Sequence, residues 1–409
     1  MTIYIIILLL VAVGIVKFDL NREPFVCRDD ELATNLLITI RQKQLNMLIR
    51  VFHGQPWSDV LLFTILVLLV GVSTFGYDMG SDAIRYEREF YQYHTLFDLR
   101  PSDFANENRQ PGWVLFNSLC RILFDSYHFM KFVFAAFVNT AILLTIRRYT
   151  RFVFFGVLFY LLSSYLYFNF EIFRQAMGIG IFLLAYPFAL RRQWHWYFLG
   201  VLLAYSMHSS AAILMFLPLL HAFDRSAFVG IVLLSLLVFI NSAWLGQTIT
   251  RFLSSTFMDS ADSFDSYLSK DSLLSLTRIR TYLILFVFPV AMLFVFRWDN
   301  INIRYRSAIM FYAVAVIVGE FVSILFRLQQ YVIVFSWLFY VESFIYLASR
   351  LTLNRRRIVA PLLMLLMVYV YVGAYFNKLG DTGHKSYERY FPYTSIFYKE
   401  DAPYRGDMR

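Results

Sequence analysis

Apolar runs long enough, or nearly long enough, to cross a bilayer recur along most of the chain, at 2–16, 58–76, 130–146, 152–170, 172–190, 227–245, 280–297, 307–326, 331–349 and 358–375. A hydrocarbon core about 30 Å thick takes roughly 20 apolar residues of helix, and backbone in lipid must satisfy its own hydrogen bonds. An all-α polytopic membrane protein is therefore expected. The chain is 16% charged, against about 25% for soluble domains. No low-complexity tract or Pro/Gly-rich linker divides residues 1–409, so a single polytopic domain is expected. The first run, "TIYIIILLLVAVGIV", has no basic residue before it, while Lys17 and Arg22 follow it. It reads as a retained span with its N-terminus outside. The net charge of +9 mostly flanks apolar runs; it sets topology and argues against nucleic acid as a partner.

Basic short loops set the orientation. Arg147, Arg148 and Arg151, then Arg191 and Arg192, then Arg297, Arg304 and Arg306, then Arg350 and Arg355 to Arg357 should all face the cytoplasm. They agree only if residues 194–223 cross an even number of times. That stretch is too long for one helix and short for two, so we read two short helices hinged at His208, Ser209 and Ser210. About twelve transmembrane helices follow, with both termini outside. The outer face then holds a loop at 77–129 with short interfacial helices, a loop at 246–279 and a C-terminal tail at 376–409. Cys27 falls inside and Cys120 outside, so the two cannot pair.

Three inward-running helices should begin with polar residues at outer depth: Arg174 and Gln175; His208, Ser209 and Ser210; Arg327, Gln329 and Gln330. Free N–H groups at a helix start, with two guanidinium groups, make a site for a phosphate or diphosphate. The alternative is structural: Arg174 pairs with Glu171 and Arg327 with Glu320, and both side chains snorkel. Two arginines at one depth with a histidine on a hinge favour function, because intramembrane ionisable groups are costly and line cavities. Positive neighbours would keep His208 neutral and able to accept a proton.

In "GYDMGSDAIRYEREFYQYHTLF", Asp82, Arg85, Tyr86 and Glu89 fall at helical spacing after Gly80. The run after Pro111 is interrupted by Arg121 and suits a helix lying in the interface. Tyr77, Tyr86, Tyr91, Tyr93 and Tyr267 suit stacking on sugar rings. Asp259, Asp262 and Asp265 lie three apart, yet without the glycine and glutamate of a calcium loop they read as a solvated segment. No metal and no cofactor is expected.

The pieces "GSDAIRYEREF", "QPGWVLFNSL", "FNFEIFRQAMGIGIFLLA", "AYSMHSSAAILMFLPL", "FRLQQYVIVF" and "FPYTSIF" run in order from about 76 to 397. In this order and spacing the chain resembles the EpsG/Wzy-like family of exopolysaccharide and O-antigen repeat-unit polymerases. Gln110 departs from that pattern, which has an acidic residue before Pro-Gly, so no catalysis is assigned there. The resemblance implies a bacterial inner-membrane glycosyltransferase with a GT-C-like architecture. Its substrate, as donor and acceptor, would be undecaprenyl-diphosphate-linked oligosaccharide at the periplasmic or outer face. A chain-length regulator is a further partner to expect.

On that expectation Arg174 and Arg327 hold the leaving diphosphate. Gln175, Arg85, Tyr86, Ser209 and Tyr331 complete the substrate-binding set. His208 is the first choice of base and Asp82 the second, since a carboxylate beside arginines accepts protons poorly; Asp82 could instead orient the acceptor. A lipid-linked oligosaccharide flippase would place charge through the full bilayer depth and show an internal repeat. Here the polar groups cluster at outer depth, Glu342 excepted. A ligase or acyltransferase on the same lipid carrier shares the site chemistry and stays open.

Overall fold

A computed structural model describes residues 2–20, 56–104, 109–222, 304–321, 326–350, 372, 375–376, 384–401, 403 and 405. The chain forms two compact units, Met1–Ala211 with Ala348–Arg409, and Ala212–Leu347. Among the described residues every regular element is helical. Three helices are long and apolar enough to cross a membrane, Trp57–Phe75, Tyr127–Tyr149 and Phe173–Leu190. Shorter apolar helices include Val153–Ser163, Arg306–Ala315 and Ile333–Ser343. Length and composition suit these helices to a membrane. The expected runs at 227–245 and 280–297, and the loop at 246–279 with Asp259, Asp262, Asp265 and Tyr267, lie outside the described residues.

The first unit contains α1 (Thr2–Gly14), α2 (Pro56–Phe75), α3 (Ala83–Gln92), α4 (Pro111–Leu123), α5 (Tyr127–Tyr149), α6 (Val153–Ser163), α7 (Tyr165–Phe170), α8 (Phe173–Leu190) and α9 (Trp194–Met207). Here α5 packs on α2 and α8, while α9 packs on α8. The apolar run at 152–170 is not one continuous helix. It breaks at Ser164, whose φ of −137° leaves the helical region, and the Ser163 hydroxyl turns back to the Phe159 carbonyl at 2.7 Å. Serine hydroxyls that bond back in this way loosen a helix.

A fully buried polar knot ties the pieces together. Asn139 on α5 donates to Asn169 on α7 at 2.8 Å, and Tyr160 on α6 donates to Asn139 at 2.8 Å. Asn169 closes the triangle on the Tyr160 hydroxyl at 3.0 Å. Such bonds between membrane helices contribute about 0.6 kcal/mol each on average, up to about 2, and they fix which helix faces which.

The loop expected to be outer, 77–129, does hold short helices. In α3 Tyr86 and Phe90 are buried while Arg85 and Arg88 are exposed. Pro111 opens α4 at the position where a missing N–H costs nothing. Trp113, Val114, Asn117 and Cys120 of α4 face inward, and Leu115, Leu119 and Leu123, four apart, are exposed. That spacing sets the exposed leucines along one face of α4.

The tail returns to the loop after α2. Tyr77 N–H donates to the Thr394 carbonyl at 2.8 Å and Gly80 N–H to that of Arg389 at 2.9 Å. Gly80 has a φ of +85°, open to glycine at no steric cost, and a Cβ there would lie 2.8 Å from the Phe170 carbonyl carbon.

In the second unit α10 (Arg306–Phe321), α11 (Phe326–Gln329) and α12 (Ile333–Arg350) are described. Tyr305 is fully buried there and its hydroxyl bonds Glu342 on α12.

Candidate active site

Arg174 stands in the first turn of α8, as its place after the apolar run 152–170 led us to expect. Its guanidinium donates to Gln110 Oε1 at 3.4 Å, just ahead of α4. It is also a hydrogen-bond partner of the Tyr86 hydroxyl on α3. Three elements distant in sequence thus meet at one side chain.

Arg109 joins them. It is 5% exposed and grips Glu89 with two nitrogens, one of them Nε to Oε2 at 2.9 Å. Glu89 also accepts from Arg85 Nε at 3.0 Å. Burial first, and then the charges of Arg174 and Arg85, lower the Arg109 pKa to about 10. It stays charged at neutral pH, but the direction records a cost: three guanidinium groups share one neighbourhood. Asp82, which precedes α3, partly offsets it from within electrostatic reach of Arg109 and Tyr86.

The Tyr86 ring lies flat on Phe173, with centroids 4.8 Å apart and 4° between the planes, and meets Trp113 edge-on at 5.8 Å. Burial raises its hydroxyl pKa against the pull of Arg174. Tyr86 is thus a packed residue that points a phenol at Arg174, rather than an open platform for a sugar. The half-buried Tyr93 is also within electrostatic reach of Arg174, and burial lifts it to about 12.

Glu171, three residues before Arg174, is held by the tail: Tyr390 donates to it at 2.5 Å and Arg389 at 3.4 Å. Burial raises its pKa despite both donors. The tail is anchored by Arg405, 1% exposed, which donates to the carbonyls of Asp78, Pro392 and Glu388 at 2.6, 2.6 and 3.2 Å.

The family model of the EpsG family matches residues 59–395, most of the chain and all of the elements that build this cluster. The chain belongs to the EpsG family. No curated protein and no solved structure matches it. Membership supports a function of the polysaccharide-polymerase type.

Within this EpsG-family chain His208 ends α9 in an extended conformation, φ −154° and ψ 127°, and a 3₁₀ segment, Ser209–Ala222, follows. The hinge expected at 208–210 is a real break. His208 Nδ1 lies 2.7 Å from Ser210 Oγ and 3.3 Å from Ser210 N. The Ser210 N–H donates to Nδ1, which therefore keeps its lone pair, and in the neutral ring the proton sits on Nε2. Gly112 connects the two regions: a Cβ there would lie 2.8 Å from the Ser206 carbonyl oxygen, so the first turn of α4 lies directly on the end of α9.

Gln175 is buried beside Arg174, and Ser209 is exposed. In the second unit Arg327 is exposed on the four-residue α11, apart from α12, while Tyr331 is fully buried. The expected long helix starting at Arg327 instead starts at Ile333. Among the described residues no group of three His, Cys, Asp or Glu side chains could hold a metal ion.

Arg109 and the tail contacts were missed in the sequence. One signal was there for Arg109: a cation just ahead of Pro111 sits at the positive end of a helix, where it is unfavourable unless paired.

Proposed function

We propose that this EpsG-family chain is a polysaccharide polymerase. It would join undecaprenyl-diphosphate-linked oligosaccharide repeat units at the outer face of the bacterial inner membrane. The observation that carries this reading is the gathering of Arg174, Arg109 and Arg85 at the head of a span-length helix. Arg109 and Arg85 share one carboxylate, Glu89, beside Arg174, so a multiply charged anion is stabilised there, and the lipid diphosphate supplies one where sugar transfer needs a leaving group.

In this reading a hydroxyl of the acceptor glycan attacks the anomeric carbon of the donor. The carbon–oxygen bond to the diphosphate breaks and its electron pair leaves on the diphosphate oxygen. The arginines and the N-terminus of α8 stabilise that developing charge. The hydroxyl proton passes to His208 Nδ1 by way of the Ser210 hydroxyl 2.7 Å from it, with Asp82 orienting the acceptor. One displacement inverts the anomeric centre. The twelve-span, GT-C-like arrangement, with loop 77–129 and the tail outside, belongs to the same proposal.

Glycan size profiling of a strain lacking the chain tests it. Loss of long chains with single repeat units still displayed is the expected outcome. A ligase would leave no displayed units and accumulate lipid-linked polymer, and a flippase would strand lipid-linked units on the cytoplasmic side.

A further inference from the structure

A second polar site borders the arginine cluster at Phe173, which stacks on Tyr86. It is a small, partly open recess between loop 76–80, α3 and α5, lined by Tyr77, Asp78, Glu87, His128, Lys131 and Phe173 among others. Its inner end has room for a group about the size of one water. Lys131 is 4% exposed. Its ammonium group carries three N–H groups, and the Gly76 carbonyl takes one. An apolar helix of this kind retains a buried lysine only at considerable cost.

The wall of the recess is itself strained. Asp78 has a φ of 47°, a conformation that costs a non-glycine residue about 1–3 kcal/mol and clusters at functional sites. Arg405 clamps the Asp78 carbonyl. The tail therefore spends a buried arginine on holding this wall in place.

The charges here differ from those around Arg174. Two lysines, Lys131 and Lys399, the latter 5.1 Å over the Tyr77 ring, stand with two carboxylates, Asp78 and Glu87, so no excess of positive charge is present to hold a diphosphate. Donors and acceptors alternate instead around Tyr77, while the Phe173 ring is closed off between Tyr86 and Phe134. That mixture suits a neutral polyhydroxylated ring held by its hydroxyls.

We propose that this recess is the acceptor subsite: one sugar hydroxyl inserts against Lys131, and the ring rests at the rim between Glu87 and Tyr77. The proposal rests on the polymerase reading and names where the second substrate is held. Phe173 and Tyr86 would then form the partition between acceptor sugar and donor diphosphate.

The test uses the full-length chain in lipid nanodiscs. The probe is repeat-unit oligosaccharide freed from its lipid diphosphate by mild acid, tritium-labelled, with binding read by equilibrium dialysis and polymerisation of intact lipid-linked units followed in parallel. Lys131→Met should weaken oligosaccharide binding about tenfold or more, as expected for a lost hydrogen bond from a charged donor. Glu87→Gln, at the rim, should weaken it by about threefold or more. Arg174→Ala should bind free oligosaccharide like the wild type and lose the lipid-linked donor. A Lys131→Met protein with a normal melting temperature and unchanged affinity overturns the subsite. If that variant does not fold, unchanged affinity in Glu87→Gln does so. Wild-type protein that polymerises yet binds no free oligosaccharide also overturns it, with the polymerase reading intact. Binding without polymerisation sinks the polymerase reading alone, and neither activity sinks both.

Discussion

Tyr390 donates its hydroxyl hydrogen to Glu171 across 2.5 Å and 219 residues of chain. The carboxylate so held lies one helical turn before Arg174, so the tail fixes the entry of α8. Tyr390→Phe removes a donor from a buried carboxyl and should cost about 1–3 kcal/mol of stability, read as a lowered melting temperature in detergent. Deleting residues 384–409 should abolish polymerisation while the protein still inserts. Full-length polymer from that truncation would show that the tail is dispensable.

Glu171 also predicts a pH dependence. Its folded pKa is raised, first by burial, so the folded state holds the proton more tightly than the unfolded chain. The stability this contributes is full below the usual glutamate range and is lost as pH rises through the raised value. Glu171→Gln should flatten that part of the stability curve. Melting temperatures of both proteins measured from acid to neutral pH should diverge on the way up; parallel curves would mean that the carboxyl titrates normally.

Replacing Arg174 by Lys keeps a charge and loses the planar fork that grips a diphosphate. Turnover should fall about 100-fold or more, the usual size of a lost charge-stabilising donor, with Arg174→Ala no better. Polymer length on gels and turnover on lipid-linked units give the answer. Normal polymer from Arg174→Ala at normal expression would return this residue to a structural role.

His208→Ala and Asp82→Asn separate base from orienting group. Loss of a general base costs about 100-fold to 10,000-fold in turnover, at every acceptor concentration, while donor crosslinking persists. An orienting group lost at Asp82 should be partly recovered by excess acceptor. Ser210→Ala should fall between them, since it removes the hydroxyl beside Nδ1 without removing the ring. Near-normal turnover in the histidine variant, with Asp82→Asn inactive at saturation, would make the carboxylate the base.

Sidedness can be read directly. Cysteines introduced at Ser260 and Ser386 should react with an impermeant thiol reagent on intact cells or spheroplasts, and one at Thr352 should not. Labelling at Thr352 from outside would invert the proposed topology.

What the sequence made legible was local. Arg174 and His208 interrupt apolar runs, and interruptions of that kind mark helix starts and breaks, both of which the structure shows. The short helices of the 77–129 loop were legible from Gly80, from Pro111 and from the spacing of Asp82, Arg85, Tyr86 and Glu89. Pairings at long range were not. Nothing in spacing joins Glu89 to Arg109, 20 residues on, or Glu171 to Tyr390. Tyr86 looked like an outer aromatic because its partner Phe173 belongs to an apolar run whose inner face cannot be read without a fold. The break at Ser164 was hidden for a related reason: serine is tolerated in membrane helices, and only the backbone shows that this one ends a helix.

The contact of Gly112 with Ser206 leaves no slack. With only the hydroxyl and carbonyl of Ser206 against Gly112, the first turn of α4 and the last turn of α9 must move as one body. Gln110, which touches Arg174, and His208, which ends α9, are two residues from either side of that joint. A donor lipid tugging on the arginine would be felt at the histidine without any intervening spring, so loading of one partner could set the readiness of the other. A single methyl group at position 112 would act as a wedge, prising the joint apart and uncoupling the two halves of the reaction while leaving every charged group in place.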